Sequence, residues 1–389
     1  MNTDQQEQKQ AQSTVRTFAA ASFLNDFGSD IIYPVWPFFV ASLGANREVL
    51  GLLDGLGESI VSLSQAFSGY LSDRMGKRKI FIWLGYLFGA ISRFGYAISA
   101  GWLSLLPFRI LDRAGKMRGS PRDAMVADAS TAENRGRNFG LLRSMDNLGA
   151  VFGILFCMAF LHLGYSTLFM IAAIPSLLAV ILVLVAVKEH PAEEKKIFKG
   201  LSLKHLDRNF RMFLFLSAVF SLGAFSYSFL MLYAIDAGVP QVWTPLLYLV
   251  FTLAASLLSF SFGKLSDTMG RKKVLQIAFL LWGAVCAILF VERSVLTIVV
   301  AFVLYGIHRA ALEPVQKAFV AELAPADLRA STLGGFQMVV GVCALPSSVL
   351  AGVLWDKVSP GLPLLVSLVL TVIATVLLMF VQQPQGVQS

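Results

Sequence analysis

Eight ionisable side chains fall at helical spacing inside stretches that are otherwise apolar: Asp26 and Asp30, Asp54 and Glu58, and the run Arg109, Asp112, Arg113 and Lys116. Residues three or four apart share one face of a helix. An ionisable group within a membrane span costs about 2.5–3.5 kcal/mol or more, so it turns toward a cavity or a partner. Burial makes a carboxylate hold its proton, and a nearby guanidinium makes it let go. A conformational change that alters either influence turns such a carboxylate into a proton carrier. Counting about 1.5 Å per residue, Asp30, Glu58 and Arg113 fall near the middle of their spans. The order of candidates for proton coupling is Asp30, Glu58, Asp26, then Asp112; the rival reading is a static ion-pair network. Arg109, Arg113 and Lys116 are candidates to line a substrate cavity.

Other charges allow blander readings. Arg143 and Asp146 are three apart and pair locally. Arg118, Arg122, Asp123 and Asp128 are explained as well by snorkelling or by ion pairs at a gate as by any substrate. The second half of the chain is poorer in charge. It offers Tyr227, Tyr305, His308, Arg309, Glu313 and Gln337 as cavity candidates, a lining suited to an apolar or amphipathic cargo. His308 can titrate near neutral pH, but a histidine beside an arginine is more often a hydrogen-bonding residue. Cys157, Cys286 and Cys343 lie inside apolar stretches without metal or redox spacing and read as packing residues. H-E-x-x-H, G-x-S-x-G and the phosphate-binding loop are all missing, so neither an enzyme nor ATP-driven work is expected. No cofactor or metal is implied, and an ion gradient is left as the energy source.

The elements that must hold these groups are membrane spans. Apolar residues make up 56% of the 389 and charged residues 14%, with a mean hydropathy of +0.68, a membrane-protein profile. The net charge of +8 resides in short loops, so the lipid bilayer accounts for it and nucleic acid does not. Stretches long enough for a helical span run over 17–43, 49–72, 80–99, 102–128, 139–162 and 165–187. A second set runs over 212–236, 241–266, 274–292, 295–322, 332–355 and 361–381. These twelve, numbered helices 1–12, predict an all-α membrane protein of two six-helix bundles, 17–187 and 212–381. Residues 1–16 read as a polar cytosolic tail, 188–211 as a cytosolic linker and 382–389 as a second cytosolic tail. Lysine and arginine crowd one set of loops (Arg74, Lys77, Arg78, Lys79, Arg135, Arg137, Arg271, Lys272, Lys273, Arg329), which puts both termini in the cytosol.

The two halves are copies. GYLSDRMGKRK at 69–79 returns as GKLSDTMGRKK at 263–273, and the same offset pairs Asp128 with Glu322 and Arg135 with Arg329. Internal repeats in a helical membrane protein point to a transporter. Twelve helices in two repeats, with G-x-x-x-D-R-x-G-K-R-K after helix 2 and a weaker copy after helix 8, resemble the major facilitator superfamily over essentially the whole chain. The resemblance implies two bundles, each of inverted three-helix repeats, around a cavity lined mainly by helices 1, 4, 7 and 10. It also implies a cytosolic gate at Gly69, Asp73, Arg74, Gly76 and Arg78, repeated at Gly263, Asp267 and Gly270. There Asp73 would face the start of helix 11 near Ser331, and Asp267 the start of helix 5. Thr268 replaces the first basic residue of the second copy.

In helix 4, Arg109 and Gly115 match the superfamily's arginine-and-glycine motif, with Asp112 and Arg113 replacing its usual Gln and Gly. The run D-R-x-G-K-x-R-x-x-P-R-D-A over 112–124, followed by F-G-L-x-R-x-x-D-x-L-G in helix 5, is similar to a bacterial subgroup counted as exporters. Helix 5 keeps Gly149 and Gly153 but has Ile154 where antiporters of the superfamily carry proline. The expectation is a proton-coupled transporter of small organic molecules in the cytoplasmic (inner) membrane, working as a monomer and exporting by antiport. Uptake of an organic anion and lipid translocation are the alternatives.

Overall fold

The computed structural model describes residues 3–131, 134–189, 207–324 and 329–382, and among them every regular element is helical. Helix 1 runs Thr3–Ile32, turns through a 3-10 segment at Tyr33–Val35 and continues as Trp36–Ser42. Pro34 and Pro37 each remove a backbone donor at that join. Helices 2 and 3 are Arg47–Met75 and Lys79–Ile98. Helix 4 is Trp102–Ala114, a 3-10 turn at Gly115–Arg118, then Gly119–Asp128. Helices 5 and 6 are Arg135–Phe160 and Tyr165–Ala186. Helix 7 is split into Arg208–Gly223 and Tyr227–Asp236. Helices 8–12 are Thr244–Met269, Arg271–Val291, Val295–Leu323, Arg329–Lys357 and Leu362–Met379.

Among the described residues, nine helices are long and apolar enough to cross a bilayer, and these are helix 3 and helices 5–12. Helices 1, 2 and 4 fall short. They are the three that carry the eight closely spaced acids and bases from Asp26 to Lys116, and helix 4 is also cut by its 3-10 turn.

Two compact units result. One holds helix 1, helices 3–6 and helix 2 from Ile60 onward; the other holds Ala45–Ser59 of helix 2 with helices 7–12. The sequence boundaries of the bundles therefore need one correction, because helix 2 is divided between them. Within the first unit helix 1 packs on helices 5 and 6, and helix 3 on helices 4 and 6. Within the second, helix 7 packs on helices 11 and 12, and helix 9 on helices 10 and 12. The duplication seen in the loops is thus a duplication of the packing scheme.

A second correction concerns residues 1–16. Helix 1 already begins at Thr3, and Thr14 and Val15 are buried. Val15 and Phe18 join Ile82 and Tyr86 of helix 3, Met125 and Val126 of helix 4 and Val183 of helix 6 in one apolar cluster. The polar run read as a tail is built from good helix formers, Gln, Glu, Lys and Ala. It continues the span instead of stopping at its edge.

Candidate functional site

Helix 4 organises the charged site of the first unit. At its 3-10 turn the backbone of Gly115 meets that of Gly85 on helix 3. A Cβ on Gly85 would lie 2.6 Å from the Gly115 carbonyl oxygen, and one on Gly115 2.7 Å from that of Gly85. Two side-chain-free positions bring the helices together there and let the next residues of helix 4 reach across. Arg118 lies over the Tyr86 ring at 4.9 Å, donates to the Gly115 carbonyl at 2.9 Å and pairs loosely with Asp26 at 3.9 Å. Arg122, one turn on, donates to Ser22 Oγ on helix 1 at 2.6 Å. It also pairs with Asp123 at 3.0 Å and with Asp146 of helix 5 at 3.5 Å. Arg143 completes the group at 3.1 Å from Asp146 and 3.4 Å from Asp123.

Toward the start of helix 4, Arg113 pairs with the adjacent Asp112 at 3.6 Å and covers the Tyr33 ring at 5.1 Å. Arg109 sits over Trp36 at 4.1 Å and is only 2% exposed. It is therefore packed against helix 1 and does not line an open surface. Asp30 is buried and Asp26 half-buried; Asp26 also accepts from Asn25 Nδ2 at 2.9 Å. Lys116 is half-buried; its carbonyl accepts from the Gly119 N–H and its charge acts on Asp112, while its ammonium makes no hydrogen bond or ion pair among the described residues.

Sequence reasoning passed over Arg93. Its guanidinium, in the apolar helix 3, donates to the Asn25 carbonyl and Oδ1 at 3.1 Å each, to Ser29 Oγ at 2.7 Å, to the Ala172 carbonyl at 3.2 Å and to Ser176 Oγ. Five neutral acceptors on helices 1 and 6 hold it, and among the described residues no carboxylate lies at ion-pair distance. The available signal was simply an arginine inside a span of high hydropathy.

In the second unit Arg309 pairs with Glu313 one turn along helix 10. Glu58 of helix 2, exposed within this unit, acts electrostatically on Arg309 and on Tyr305. Tyr227, Tyr248, Phe251 and Tyr305 form a continuous run of rings with centroids 5.0–5.2 Å apart. His308 does not look out of the bundle. Its Nδ1 donates to the Ala278 carbonyl at 2.8 Å, and its ring packs among Phe220, Trp282 and Tyr305. Gln337 is half-buried on helix 11.

The repeated loops share one construction. Gly76 and Gly270 both have positive φ, +63° and +92°, a conformation that suits glycine and turns the chain into the next helix. Gly69 and Gly263 precede them; a Cβ on Gly69 would meet Ser120 of helix 4 at 3.3 Å. Arg78 pairs with Asp128 at the end of helix 4, and Arg271 pairs with Glu322 at the end of helix 10 at 2.5 Å. The acids matched by the repeat are thus the acids that receive its basic residues. Glu189 accepts from the backbone of Arg78 at 2.8 Å and of Lys79 at 3.0 Å, placing a carboxylate at the positive end of helix 3. Arg74 is exposed. Asp267 pairs with Arg271 in its own loop at 2.9 Å. The side chains of Asp73 and of residues 329–331, to which the proposed gate contact belongs, lie outside the described residues.

Comparison with known proteins agrees with this architecture. The family model described as Major Facilitator Superfamily matches residues 18–259 and 243–389. An uncharacterised MFS-type transporter of Methanocaldococcus jannaschii is 36% identical over 371 residues, covering 92% of each chain. Quinolone resistance protein NorA of Staphylococcus aureus is 26% identical over 209 residues, 52% of this chain and 53% of that one. Among solved structures, nucleoside transporter NupG superposes with a TM-score of 0.77 at 14% identity, covering 94% of this chain and 99% of its own. A bacterial homologue of the lysosomal transporter Spinster gives 0.75 at 16% identity, covering 94% and 96%. These two likenesses concern the fold. Twelve helices, a duplicated packing scheme, doubled basic loops and a family match along almost the whole length agree: the chain belongs to the major facilitator superfamily of membrane transporters.

Proposed function

We propose that this transporter exports small amphipathic molecules across the cytoplasmic membrane in exchange for protons, as a monomer with both termini in the cytosol. The observation that carries the reading is the concentration of titratable acids on helices 1, 2 and 4, three of them set against a guanidinium. Asp26 faces Arg118, Asp112 faces Arg113, and Glu58 acts on Arg309. Burying so many charges for packing alone is a poor stabiliser, since desolvation cancels much of the attraction. An acid whose guanidinium partner moves away during the cycle takes up a proton and releases it when the partner returns. Asp30 and Glu58 lead the candidates because both fall near the middle of the apolar stretches 17–43 and 49–72, and Asp30 is buried just before the 3-10 break of helix 1. The run of tyrosine and phenylalanine rings in the second unit suits an amphipathic cargo, and the similarity to NorA over half of the chain supports export.

The test is gradient-driven movement of a quinolone, and of a panel of amphipathic cations and acids, into proteoliposomes, with Asp30→Asn and Glu58→Gln beside the native protein. The amide keeps the size and much of the hydrogen bonding of the protonated acid but releases no proton. Loss of accumulation with retained binding is expected for the carrier. If both variants still concentrate a compound that the native protein moves, the acids are structural and coupling lies elsewhere. Lys116 favours a second reading, uptake of an organic anion, because it is a half-buried cation without an ion pair among the described residues. In that case Lys116→Gln weakens the movement of acids and leaves that of cations unchanged. Arg109 contributes less to such a clamp, being packed over the Trp36 ring.

A further inference from the structure

The two acids of helix 2 stand in different surroundings. Glu58 is exposed within its unit, whereas Asp54, one turn earlier, is 2% exposed. Its carboxylate accepts a hydrogen bond from Ser226 Oγ at 2.6 Å. Ser226 is the residue at which the second piece of helix 7 starts: its Oγ accepts from the backbone of Ser228 at 3.2 Å. Residues 224–226 are non-helical, although no proline stands there to break the helix. The break exposes backbone N–H groups and the positive end of a ten-residue helix, and a carboxylate is the group such an end favours.

The rest of the seam between this half of helix 2 and helix 11, within the second unit, is of another kind. Gly51 lies against the backbone of Ser348, and Gly55 against that of Leu345, so closely that a Cβ on Gly55 would fall 2.7 Å from Leu345 Cα. Ser59 Oγ donates to the Gly341 carbonyl at 2.8 Å. At the exposed end, the Glu48 backbone donates to Asp356 at 3.0 Å, and Lys357 approaches Glu48 at 3.8 Å. Backbone contact through small residues gives a smooth surface, and exposed ion pairs contribute little. Among these contacts the one at Asp54 is both buried and charged.

We infer that Asp54 and Ser226 form a latch holding the first half of helix 2 on helix 7, and that its release governs how often the seam opens at the end remote from the basic loops. The inference rests on transport by alternating access, in which that half of helix 2 must part from helices 7 and 11. It assigns Asp54 a positioning role, distinct from the proton-carrying role proposed for Glu58.

The test needs neither cargo nor gradient. In a background with Cys157, Cys286 and Cys343 changed to serine, Ser348→Cys puts a thiol at a buried position whose backbone lies against Gly51, and a membrane-impermeant maleimide added outside intact cells reports its exposure. Ser226→Ala, which removes the donor and alters no charge, should speed labelling about tenfold, the equivalent of ~1.4 kcal/mol. Asp54→Asn, which keeps an acceptor but loses the charge, should speed it several-fold, and Ser226→Thr, which restores the hydroxyl, should return it close to the native rate. Labelling within twofold of native in both Ser226→Ala and Asp54→Asn overturns the latch. So does an acceleration in Ser226→Ala that Ser226→Thr shares, because the hydroxyl is then not what holds the seam. Gradient-driven transport by Asp30→Asn is measured separately, so failure of the latch and failure of the transport reading are told apart.

Discussion

Arg122→Ala offers a quantitative test of the charged network in the first unit. The guanidinium is buried and ties helix 4 to Ser22 of helix 1 and to Asp146 of helix 5. Truncating one partner of a buried pair costs about 3–5 kcal/mol, because the other charge is left behind. Here the loss is partly offset, since Arg143 stays 3.1 Å from Asp146 and 3.4 Å from Asp123. We therefore expect Arg122→Ala to destabilise the protein by about 2–3 kcal/mol. Arg143, with a side chain 61% exposed, should cost no more than ~1 kcal/mol when truncated. The assay is reversible unfolding of purified protein in mixed SDS and mild-detergent micelles, run as a double-mutant cycle with Asp146→Ala. The double variant should lose less than the sum of the two singles, with a coupling of at least ~1 kcal/mol. Equal losses for Arg122→Ala and Arg143→Ala, or a coupling indistinguishable from zero, would refute the reasoning and return Arg122 to the snorkelling role that its position near the helix end allows.

Two further outcomes are expected. Reporter tags at residue 3 and residue 387 should both signal from the cytosol, following the Lys and Arg asymmetry of the loops; a signal from the other side at either end would overturn the orientation. Gly85→Val should prevent helix 3 from approaching the 3-10 turn of helix 4, because a Cβ there meets the Gly115 carbonyl at 2.6 Å. The variant should be destabilised by about 1–3 kcal/mol, read in the same unfolding assay, and native stability would show that the two helices do not depend on backbone contact.

Much of the fold was legible because its signals are local. Apolar runs mark spans, and the matched loops at 69–79 and 263–273 reveal the duplication. The offset also pairs Asp128 with Glu322, but that these two acids receive Arg78 and Arg271 is visible only in the structure. What escaped depends on partners far apart in the chain. Arg93 finds Asn25, Ser29 and Ser176 at separations of 68, 64 and 83 residues, and Asp54 finds Ser226 at 172. No spacing rule reaches that far. The 3-10 turn in helix 4 was hidden for a related reason. Gly115 and Gly119 fit a continuous helix as sequence, and only the approach of Gly85 from helix 3 shows what Gly115 is for. His308 could have been a titrating cavity residue on composition, until its ring was found enclosed by Phe220, Trp282 and Tyr305.

The uneven hydropathy of the twelve helices bears on how the protein is made. Helices leave the ribosome in order, and a charged residue near the centre of a span adds about 2.5–3.5 kcal/mol to the cost of insertion. Helices 1, 2 and 4 carry that burden, so two of the first three segments to emerge are among the least suited to entering lipid alone. Helix 3 is apolar enough to enter, yet its Arg93 needs acceptors from helix 1 and from helix 6, which is made later. The first unit must then be assembled largely as a group, its early helices retained beside the insertion channel until helix 6 arrives. A chain stopped after helix 4 would hold an arginine with part of its acceptors missing, which makes it a natural substrate for membrane quality control.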